Sequence, residues 1–510
     1  MQFHSILFDN EVKIDSHTSD TTLLNDTNLD QIIKTVISYR KDFDIEYFFY
    51  ILCDDIKTIN YRQNIIKDLQ RDNFYIKVDK FSQKMVKTKR YRQIIKKFDE
   101  EIYKKSWFFQ MAVEYSEAIL AFLDLLNKAD INSTGFTLLK EHITNYIKRD
   151  IFISMQKDIN ILKENLADIT YDITIDGLTF KVKRYEDEED YAKVIKKLFQ
   201  KFEQNEEDEK IECHYEKNRG TNHVNAKILE FVSKLYPEAF SQLDNFYKKY
   251  NDIVDENILR FAKEVQFYIS YLIYIQDLQD KGCEFCLPKL QTQDKNITIK
   301  DGFDLALAYN LNKLDKKIVT NDYLFVNGKR IMVVSGANQG GKSTYARAFA
   351  QIAYIAKLGL LIPAKEANIF LFDKIFTHFE KEERVYSLKS KLQEDLTRVH
   401  HILLSSTPKT LIILNEIFSS TSLQDAIFLS RQIIKRIDKL DAFCIWVTFI
   451  DELNQMSDKT VSLVSQVDTQ DINKRTYKIL PKKADGKAYA ASIADKYYLN
   501  YEQIIKRIKP

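Results

Sequence analysis

The hydrophobic pattern divides the chain into a helical part and a part in which strands and helices alternate. Across residues 28–165, glycine and proline are almost absent. Apolar residues recur at i, i+3, i+4 and i+7 in residues 30–39, 61–69, 108–126 and 138–166. This spacing is typical of amphipathic helices. The pattern therefore predicts a region of successive helices.

The helical pattern is interrupted at about residues 169–185. There, apolar and polar residues alternate on both sides of the dipeptide Asp176-Gly177. Alternation around Asp-Gly is a strong short-range signal for a β-hairpin. We therefore expect a small hairpin inserted in the helical region, with helices resuming until about residue 280.

The C-terminal third has a different pattern, in which short apolar runs alternate with helical spacing. Residues 331–334, 410–414 and 443–447 are predicted strands. Strands alternating with helices are typical of a mainly parallel sheet covered by helices. The predicted fold class is α + α/β, with a helical domain at 1–290, an α/β domain at 291–482 and two short helices at 483–510.

Composition excludes some classes of protein. The chain of 510 residues carries 76 Lys+Arg against 74 Asp+Glu, so its net charge of +2 neither favours nor excludes nucleic acid. The longest apolar run, residues 267–275, is about half of the roughly 18 residues that a membrane span needs. The N-terminus has no basic segment of the kind found in secretory signals. We expect a cytoplasmic protein of two to four domains that contacts no membrane.

Residues 335–344 read SGANQGGKST and fit the P-loop pattern G-x-x-x-x-G-K-[ST]. Glycines allow backbone N–H groups to converge on phosphate, Lys342 adds a positive charge, and Ser343 offers a hydroxyl to Mg²⁺. The strand before the loop and the helical pattern after it support this interpretation. The alternative is a glycine-rich turn without a ligand, although three of the chain's 11 glycines fall within six positions here. The loop predicts that ATP and Mg²⁺ bind.

The second predicted strand ends in Asn415-Glu416. P-loop ATPases place an acidic group at such a strand end, where it activates water and helps to hold Mg²⁺. Glu416 is therefore the candidate general base, and Asn415 the candidate that orients a water on Mg²⁺. The alternative is an ordinary strand end.

Three motifs together resemble the MutS-like ATPases of DNA mismatch repair. The family's GPNMGGKST corresponds to residues 336–344, its DEIGRGTS to residues 415–422, and its STFMVEM to residues 390–396, with the family's spacing between the last two. In that family the serine of STFMVEM reaches the nucleotide of the partner subunit. The resemblance implies these ATP-binding residues: Gly336, Ala337, Asn338, Gln339, Gly340, Gly341, Lys342, Ser343, Thr344, Ile318 and, in trans, Ser390.

The chain also departs from the family's pattern. Asn415 replaces the aspartate of the second motif, Phe449 replaces a histidine after the next strand, and Ile318 stands where the family stacks an aromatic on adenine. These changes predict slow hydrolysis. No segment ahead of the helical region resembles the family's mismatch-reading or connector domains. Residues 483–510 are similar to the family's dimerising helix-turn-helix.

The resemblance implies a helical lever domain at 1–290, a MutS-type ATPase domain at 291–482 and a homodimer. The function expected from it is an ATP-driven clamp that holds DNA by structure and not by sequence. The alternative is a nucleotide-gated module that grips a protein and does not bind DNA. A transport or SMC-type ATPase is disfavoured because the chain lacks an LSGGQ-like motif.

Two further features leave alternatives open. The basic segment 84–97 could track a phosphate backbone, or Met85, Ile94 and Ile95 could bury one stripe of an ordinary surface helix. Cys283 and Cys286 form a C-x-x-C pair that could be half of a zinc site, a redox pair or neither.

Overall fold

A computed structural model describes residues 3–9, 21–176, 179–185, 223–380, 391–468, 475–483, 501 and 504–505. The chain forms two compact units, each made of separate segments. The first unit comprises Met1–Phe3, Lys80–Ala129 and Leu138–Ala262. The second unit comprises His4–Asp79, Asp130–Thr137 and Lys263–Pro510.

The helices of the N-terminal part begin at residue 21 and include three that contribute residues to both units. In chain order the helices are α1 (Thr21–Asp26), α2 (Leu29–Ser38), α3 (Ile56–Gln70), α4 (Phe74–Ile95), α5 (Glu101–Lys128), α6 (Thr134–Ile147), α7 (Asp150–Ala167), α8 (His223–Leu235), α9 (Pro237–Tyr250) and α10 (Glu256–Asp280). Short 3₁₀ turns lie at Lys41–Phe43, Glu46–Tyr50 and Arg71–Asn73. This arrangement confirms the predicted helical region.

Aromatic side chains fill the core of the first unit. Phe81 stacks on Phe122 at 3.8 Å between ring centroids, and Phe261 lies 5.7 Å from Phe122. Phe108 and Phe246 bring α5 and α9 together at 6.0 Å. Large buried rings supply most of the apolar area that stabilises such a helical bundle.

The hairpin prediction is confirmed, whereas the single helix predicted over residues 138–166 is wrong. β1 (Tyr171–Asp176) pairs antiparallel with β2 (Thr179–Arg184), and Asp176 faces Thr179. The predicted helix is broken between α6 and α7, where Arg149 has extended backbone with φ −65° and ψ 137°. The apolar period continues across this break because both helices bury one face, so periodicity alone did not reveal it.

The second unit contains the α/β part of the chain. Its further helices are α11 (Leu305–Asn312), α12 (Lys342–Lys357), α13 (Lys391–Ser405) and α14 (Leu423–Leu440), with a 3₁₀ turn at Asp451–Gln455. Its strands are β3 (Lys289–Gln291), β4 (Ile297–Gly302), β5 (Asn321–Phe325), β6 (Ile331–Gly336), β7 (Glu366–Phe370), β8 (Ile375–Phe379), β9 (Leu411–Asn415), β10 (Phe443–Val447), β11 (Thr460–Val467) and β12 (Arg475–Pro481).

Two sheets are formed by the described residues of this unit. The larger has the order β12-β11-β6-β10-β9-β8, and all its neighbours are parallel except β11 and β12. The smaller has the order β3-β7-β4-β5 and is mixed. The mixed helix-and-sheet fold with a mainly parallel sheet is therefore confirmed, while the smaller sheet was not predicted.

Parallel pairing brings the carboxyl ends of β6, β10 and β9 to one edge of the larger sheet. Val334 faces Val447, and Val447 faces Asn415. Ligands of open α/β sheets bind outside the carboxyl ends of the strands. The residues that follow these three strands therefore form the candidate site.

The predicted helix-turn-helix at 483–510 lies outside the described residues, apart from residues 483, 501 and 504–505. Of the helices that the structure describes, none is both long enough and apolar enough to cross a membrane.

Candidate functional site

The P-loop between β6 and α12 depends on glycines at two points. Gly336 has φ 110° and Gly341 has φ 89°, and both values lie in the left-handed region that favours glycine. A Cβ on Gly336 would lie 2.8 Å from Ser465 Oγ and 3.0 Å from its backbone N. Gly341 is the N-cap of α12, so the loop leads directly to the free N–H groups of a helix N-terminus.

Lys342 lies within the loop and contacts its carbonyl groups. Its ammonium group donates to Gly336 O and Ala337 O, both at 3.1 Å, and to Asn338 Oδ1 at 3.4 Å. The pKa of Lys342 is lowered, mainly because the ammonium group is buried. The positive charge of Arg475 lowers it further, and the carboxylate of Glu416 opposes the shift. A buried cation with only neutral acceptors this close is well suited to receive an anion.

Asn415 and Glu416 stand at the end of β9, as the sequence predicted, and take different positions. Asn415 is buried, and its Oδ1 atom has no hydrogen-bond partner among the described groups. Glu416 turns into left-handed backbone with φ 53°, donates its N–H to Val447 O at 2.9 Å, and brings Oε1 to 4.0 Å from Lys342 Nζ. The structure thus places the candidate base beside the lysine of the P-loop.

A cavity of about 840 Å³ lies over the loop. Of the predicted site residues, Gly336, Ala337 and Asn415 do not line it, and Ser390 falls outside the described residues. The predicted residues that line the cavity are Asn338, Gln339, Gly340, Gly341, Lys342, Ser343, Thr344, Glu416 and Ile318. Its volume lies in the range of about 300–1,000 Å³ that is usual for small-molecule sites.

Tyr477 also lines this cavity, and sequence reasoning missed it. Between the pairs Ser465–Ile479 and Val467–Arg475, three residues of β12 face a single residue of β11. In this bulge Tyr477 has φ 59°, and its ring lies 3.6 Å from the position of a Cβ on Gly341. Because a bulge redirects one side chain out of a strand, no sequence period signals this placement.

Two side chains hold the bulged strand against the site. Asn321 donates from Nδ2 to Tyr477 O at 3.1 Å, and its Oδ1 accepts from Ile479 N at 2.8 Å. Arg475 donates from Nε to Asn338 O in the P-loop at 3.2 Å. The bulge is therefore tied both to β5 and to the loop, which holds the ring of Tyr477 at the cavity.

The Cys283 and Cys286 pair gains no support as a metal or redox site. Burial raises the pKa of both thiols, that of Cys286 to about 11. A protonated thiol is a poor nucleophile and a poor metal ligand. In the described part of the chain, no three His, Cys, Asp or Glu residues are grouped so that they could hold a metal ion.

The basic segment 84–97 shows features of both interpretations. Met85 and Ile95 are buried in the first unit, but Ile94 is 40% exposed, so the predicted apolar stripe is only partly formed. Lys87 pairs with Glu114 at 2.7 Å, and Arg92 pairs with Glu256 at 2.6 Å. The other lysines of the segment are exposed: Lys84, Lys89, Lys96 and Lys97.

Comparison with known proteins identifies the C-terminal part. The family MutS domain V matches residues 332–508. The chain is 33% identical to the DNA mismatch repair protein Msh3 of Homo sapiens over 147 residues, which are 29% of the chain and 13% of that protein. It is 28% identical to the DNA mismatch repair protein MutS of Lactobacillus delbrueckii subsp. bulgaricus over 275 residues, which are 52% of the chain and 31% of that protein.

A third relative extends the match further along the chain. The DNA mismatch repair protein MSH3 of Eremothecium gossypii is 27% identical over 323 residues, which are 61% of the chain and 30% of that protein. The matched part thus spans less than a third of each relative's length. The P-loop and the second-strand motif lie at one sheet edge, and residues 332–508, which contain both, belong to the MutS domain V family.

Proposed function

We propose that the chain binds ATP at the P-loop, hydrolyses it slowly with Mg²⁺, and acts as a homodimeric, nucleotide-gated clamp on DNA. The observation that supports this most is the approach of Glu416 to Lys342 over the P-loop cavity. A lysine, a carboxylate and a glycine-rich helix N-terminus in one cavity are the parts that phosphoryl transfer requires.

Phosphate groups replace the present partners of Lys342 in this proposal. The ammonium group leaves the carbonyls of Gly336 and Ala337 for phosphate oxygens, and the N–H groups at the start of α12 complete the anion site. A phosphate also raises the pKa of Lys342, because an opposite charge offsets the effect of burial.

Ser343 and Asn415 are the residues that fit Mg²⁺. Asn415 Oδ1 is a buried oxygen without a partner among the described groups, and Ser343 is half-buried at the cavity. Hydroxyl and amide oxygens, directly or through water, are ligands that Mg²⁺ accepts. When bound, the ion neutralises charge on the phosphates. Because Asn415 has no charge of its own, we expect this chain to hold the ion weakly.

Glu416 accepts the proton of the attacking water in the proposed reaction. Its side chain is 36% exposed at the cavity, so it can reach a water there. Phe449, at the family's histidine position, is 53% exposed and has no ionisable group. The proposal of slow turnover rests on two features: the absence of an ionisable side chain at residue 449 and the neutral amide of Asn415. Ile318 and Tyr477, which line the same cavity, are the candidates to contact the nucleotide base.

The binding step is tested by replacing the P-loop lysine. Lys342→Ala should abolish binding of a fluorescent ATP analogue in a titration. Lys435→Ala removes an equal charge from the exposed face of α14 and should leave the affinity unchanged. Equal affinity of the Lys342→Ala and wild-type proteins would disprove nucleotide binding at this loop.

The homodimer is tested through Ser390, which we propose to reach the nucleotide of the partner subunit. A Ser390→Ala chain and a Glu416→Gln chain are each expected to be slow. In a mixed dimer one site carries both changes and the other carries neither, so mixing should raise turnover above both parents. If confirmed heterodimers give only the parents' average, the shared site is wrong.

DNA binding is proposed for the exposed lysines of segment 84–97 in the first unit. Contacts with phosphates release counterions, so retention on DNA should fall steeply with salt. Exchanging Lys84 and Lys89 for glutamine should weaken retention and reduce its salt dependence. DNA retention that is absent at low salt, with and without ATP, would favour the alternative that the clamp grips a protein.

A further inference from the structure

A buried histidine–aspartate hydrogen bond lies beside the loop that carries Glu416. His378 on β8 and Asp395 on α13 are both buried, and Nε2 of the histidine lies 2.9 Å from Oδ1 of the aspartate. The second oxygen, Oδ2, accepts the backbone N–H of Phe418 at 3.3 Å. One carboxylate therefore joins β8, α13 and the loop after β9.

That loop has an unusual backbone. Glu416 has φ 53° and Phe418 has φ 64°, and neither residue is glycine. Residues other than glycine rarely adopt this left-handed backbone conformation. They keep it only where contacts with the surrounding structure hold them. Three anchors hold these two residues: the Glu416 N–H bond to Val447 O, the fully buried ring of Phe418, and the Phe418 N–H bond to Asp395. The next residue, Ser419, also donates to Glu380 Oε1 at 2.7 Å.

Asp395 is the charged member of these anchors. Hydrogen bonds to an ionised acceptor are shorter and stronger than bonds between neutral groups, and burial among apolar residues strengthens them further. Neither Asp395 nor His378 lines the P-loop cavity, so neither is placed to touch a nucleotide. Their effect on the site must pass through the loop backbone.

We propose that Asp395 is a positioning residue for ATP hydrolysis. By holding the Phe418 N–H it keeps the left-handed backbone that directs the Glu416 carboxylate into the cavity. This inference rests on the function proposed above, because it assigns Asp395 a part in the reaction of Glu416. Asp395 acts through Glu416 and does not contact the substrate.

His378 orients the carboxylate in this arrangement. Its Nδ1 atom is buried and has no partner among the described groups. An ionised Asp395 can only accept, so Nε2 carries a proton and donates it to Oδ1. The imidazole thus holds Oδ1 and leaves Oδ2 free for Phe418.

The first test separates turnover from binding. Asp395→Ala should lower kcat by about 10- to 100-fold, the range that a small displacement of a catalytic group produces. The affinity for ATP should stay within about threefold, since the residue lies off the cavity wall. Glu394→Ala, an exposed carboxylate at the neighbouring position of α13, is the matched control and should leave both quantities unchanged. An unchanged kcat for Asp395→Ala would overturn the inference.

The second test asks whether Asp395 acts through Glu416. In a Glu416→Gln background, adding Asp395→Ala should cause no further loss of turnover, because the group being positioned is already absent. A purely structural role would lower turnover equally in both backgrounds and would overturn the inference. Should Asp395→Ala fail to fold, Asp395→Leu serves in both tests, since it roughly keeps the volume but accepts a hydrogen bond from neither partner.

A third measurement does not depend on ATP hydrolysis. Hydrogen exchange of the Phe418 amide should be at least about tenfold faster in the Asp395→Ala protein than in the wild type and in Glu394→Ala. If wild-type turnover equals that of Glu416→Gln, the proposed function fails, and this exchange still tests the anchor itself. An unchanged Phe418 exchange rate overturns the inference whatever the turnover.

Discussion

Two loops leave the carboxyl ends of β6 and β9 and reach left-handed backbone by different means. The P-loop uses glycine, with φ 110° at Gly336 and φ 89° at Gly341. The loop after β9 uses Glu416 and Phe418, whose side chains disfavour this region by about 1–2 kcal/mol per residue. The first loop therefore depends on residue type, and the second depends on contacts with its surroundings.

This difference between the two loops shows which parts of the site can be predicted from the amino-acid sequence. Glycines at fixed spacing mark the P-loop because its backbone is left-handed at Gly336 and Gly341, and a Cβ on Gly336 would meet Ser465. The family motif DEIGRGTS has glycine, which tolerates left-handed backbone, where this chain has Phe418. The structure instead holds that turn with Val447 O, a buried ring and Asp395.

The largest expected effect concerns the residue that the second loop presents. Glu416→Gln should lower turnover by about 10²- to 10⁴-fold, the usual contribution of a placed acid or base, while ATP still binds. Single-turnover hydrolysis and a binding titration measure the two quantities. Glu452→Gln, an exposed glutamate after β10, is the control and should leave both unchanged. If the Glu416→Gln protein keeps wild-type turnover, Glu416 is not the general base.

Asn415→Asp sharpens this result, because it restores a charge next to the proposed Mg²⁺ position. Turnover should be equal or faster. A large loss would show that the amide itself is required.

The next effect tests the glycine-dependent loop. Gly336→Ala should weaken ATP binding by about 100-fold, or 2.7 kcal/mol, because its Cβ meets backbone atoms of Ser465 at 3.0 Å and 3.2 Å and its φ is left-handed. Gly328→Ala is the matched control: its φ is 76°, but no atom lies within 4 Å of the added Cβ. It should cost about 1 kcal/mol of stability and leave affinity unchanged. Equal affinities for the two variants would contradict the steric argument.

The contact-dependent loop is tested by a smaller quantity, the difference in stability between two variants of Phe418. Phe418→Ala should destabilise the protein by about 3–5 kcal/mol, because a buried ring is lost while the left-handed backbone stays strained. Phe418→Gly should cost about 1 kcal/mol less, because glycine tolerates φ 64°. At most positions glycine destabilises a protein more than alanine does. If thermal unfolding shows the Phe418→Gly protein to be less stable than the Phe418→Ala protein, the backbone at residue 418 is not strained.

The smallest effect is expected at Gln339, an exposed P-loop residue with φ 59°. Gln339→Gly removes strain of about 1–2 kcal/mol but adds about 0.5–1 kcal/mol of backbone entropy to the unfolded chain. The free energy of unfolding should therefore rise by about 0–1.5 kcal/mol. Denaturant unfolding measures it, and a loss of stability would mean that the glutamine side chain holds the loop.

Much of the architecture was predictable from sequence periods. The predicted strands at 331–334, 410–414 and 443–447 agree with β6, β9 and β10 to within two residues. The hairpin was predictable from Asp176-Gly177 because the turn demands those residue types. The break at Arg149 was missed because both flanking helices bury the same face, which leaves no irregularity in the pattern.

The smaller sheet was missed for a related reason. β3 has only three residues. In addition, β4 pairs with β7, a strand far from it in the sequence. Short strands carry few residues from which to measure a period. Their pairing is decided by packing against the rest of the unit, which no local window contains.

The position of the candidate site along the chain follows from the amino-acid sequence: the glycines, Lys342 and Ser343 follow the apolar run of β6, and Glu416 follows that of β9. Only the tertiary structure decided the rest of the site. Tyr477 reaches the cavity through a bulge, and Asp395 meets Phe418 from another helix. Both placements depend on contacts between residues distant in the chain, and their energies appear only when the elements have packed.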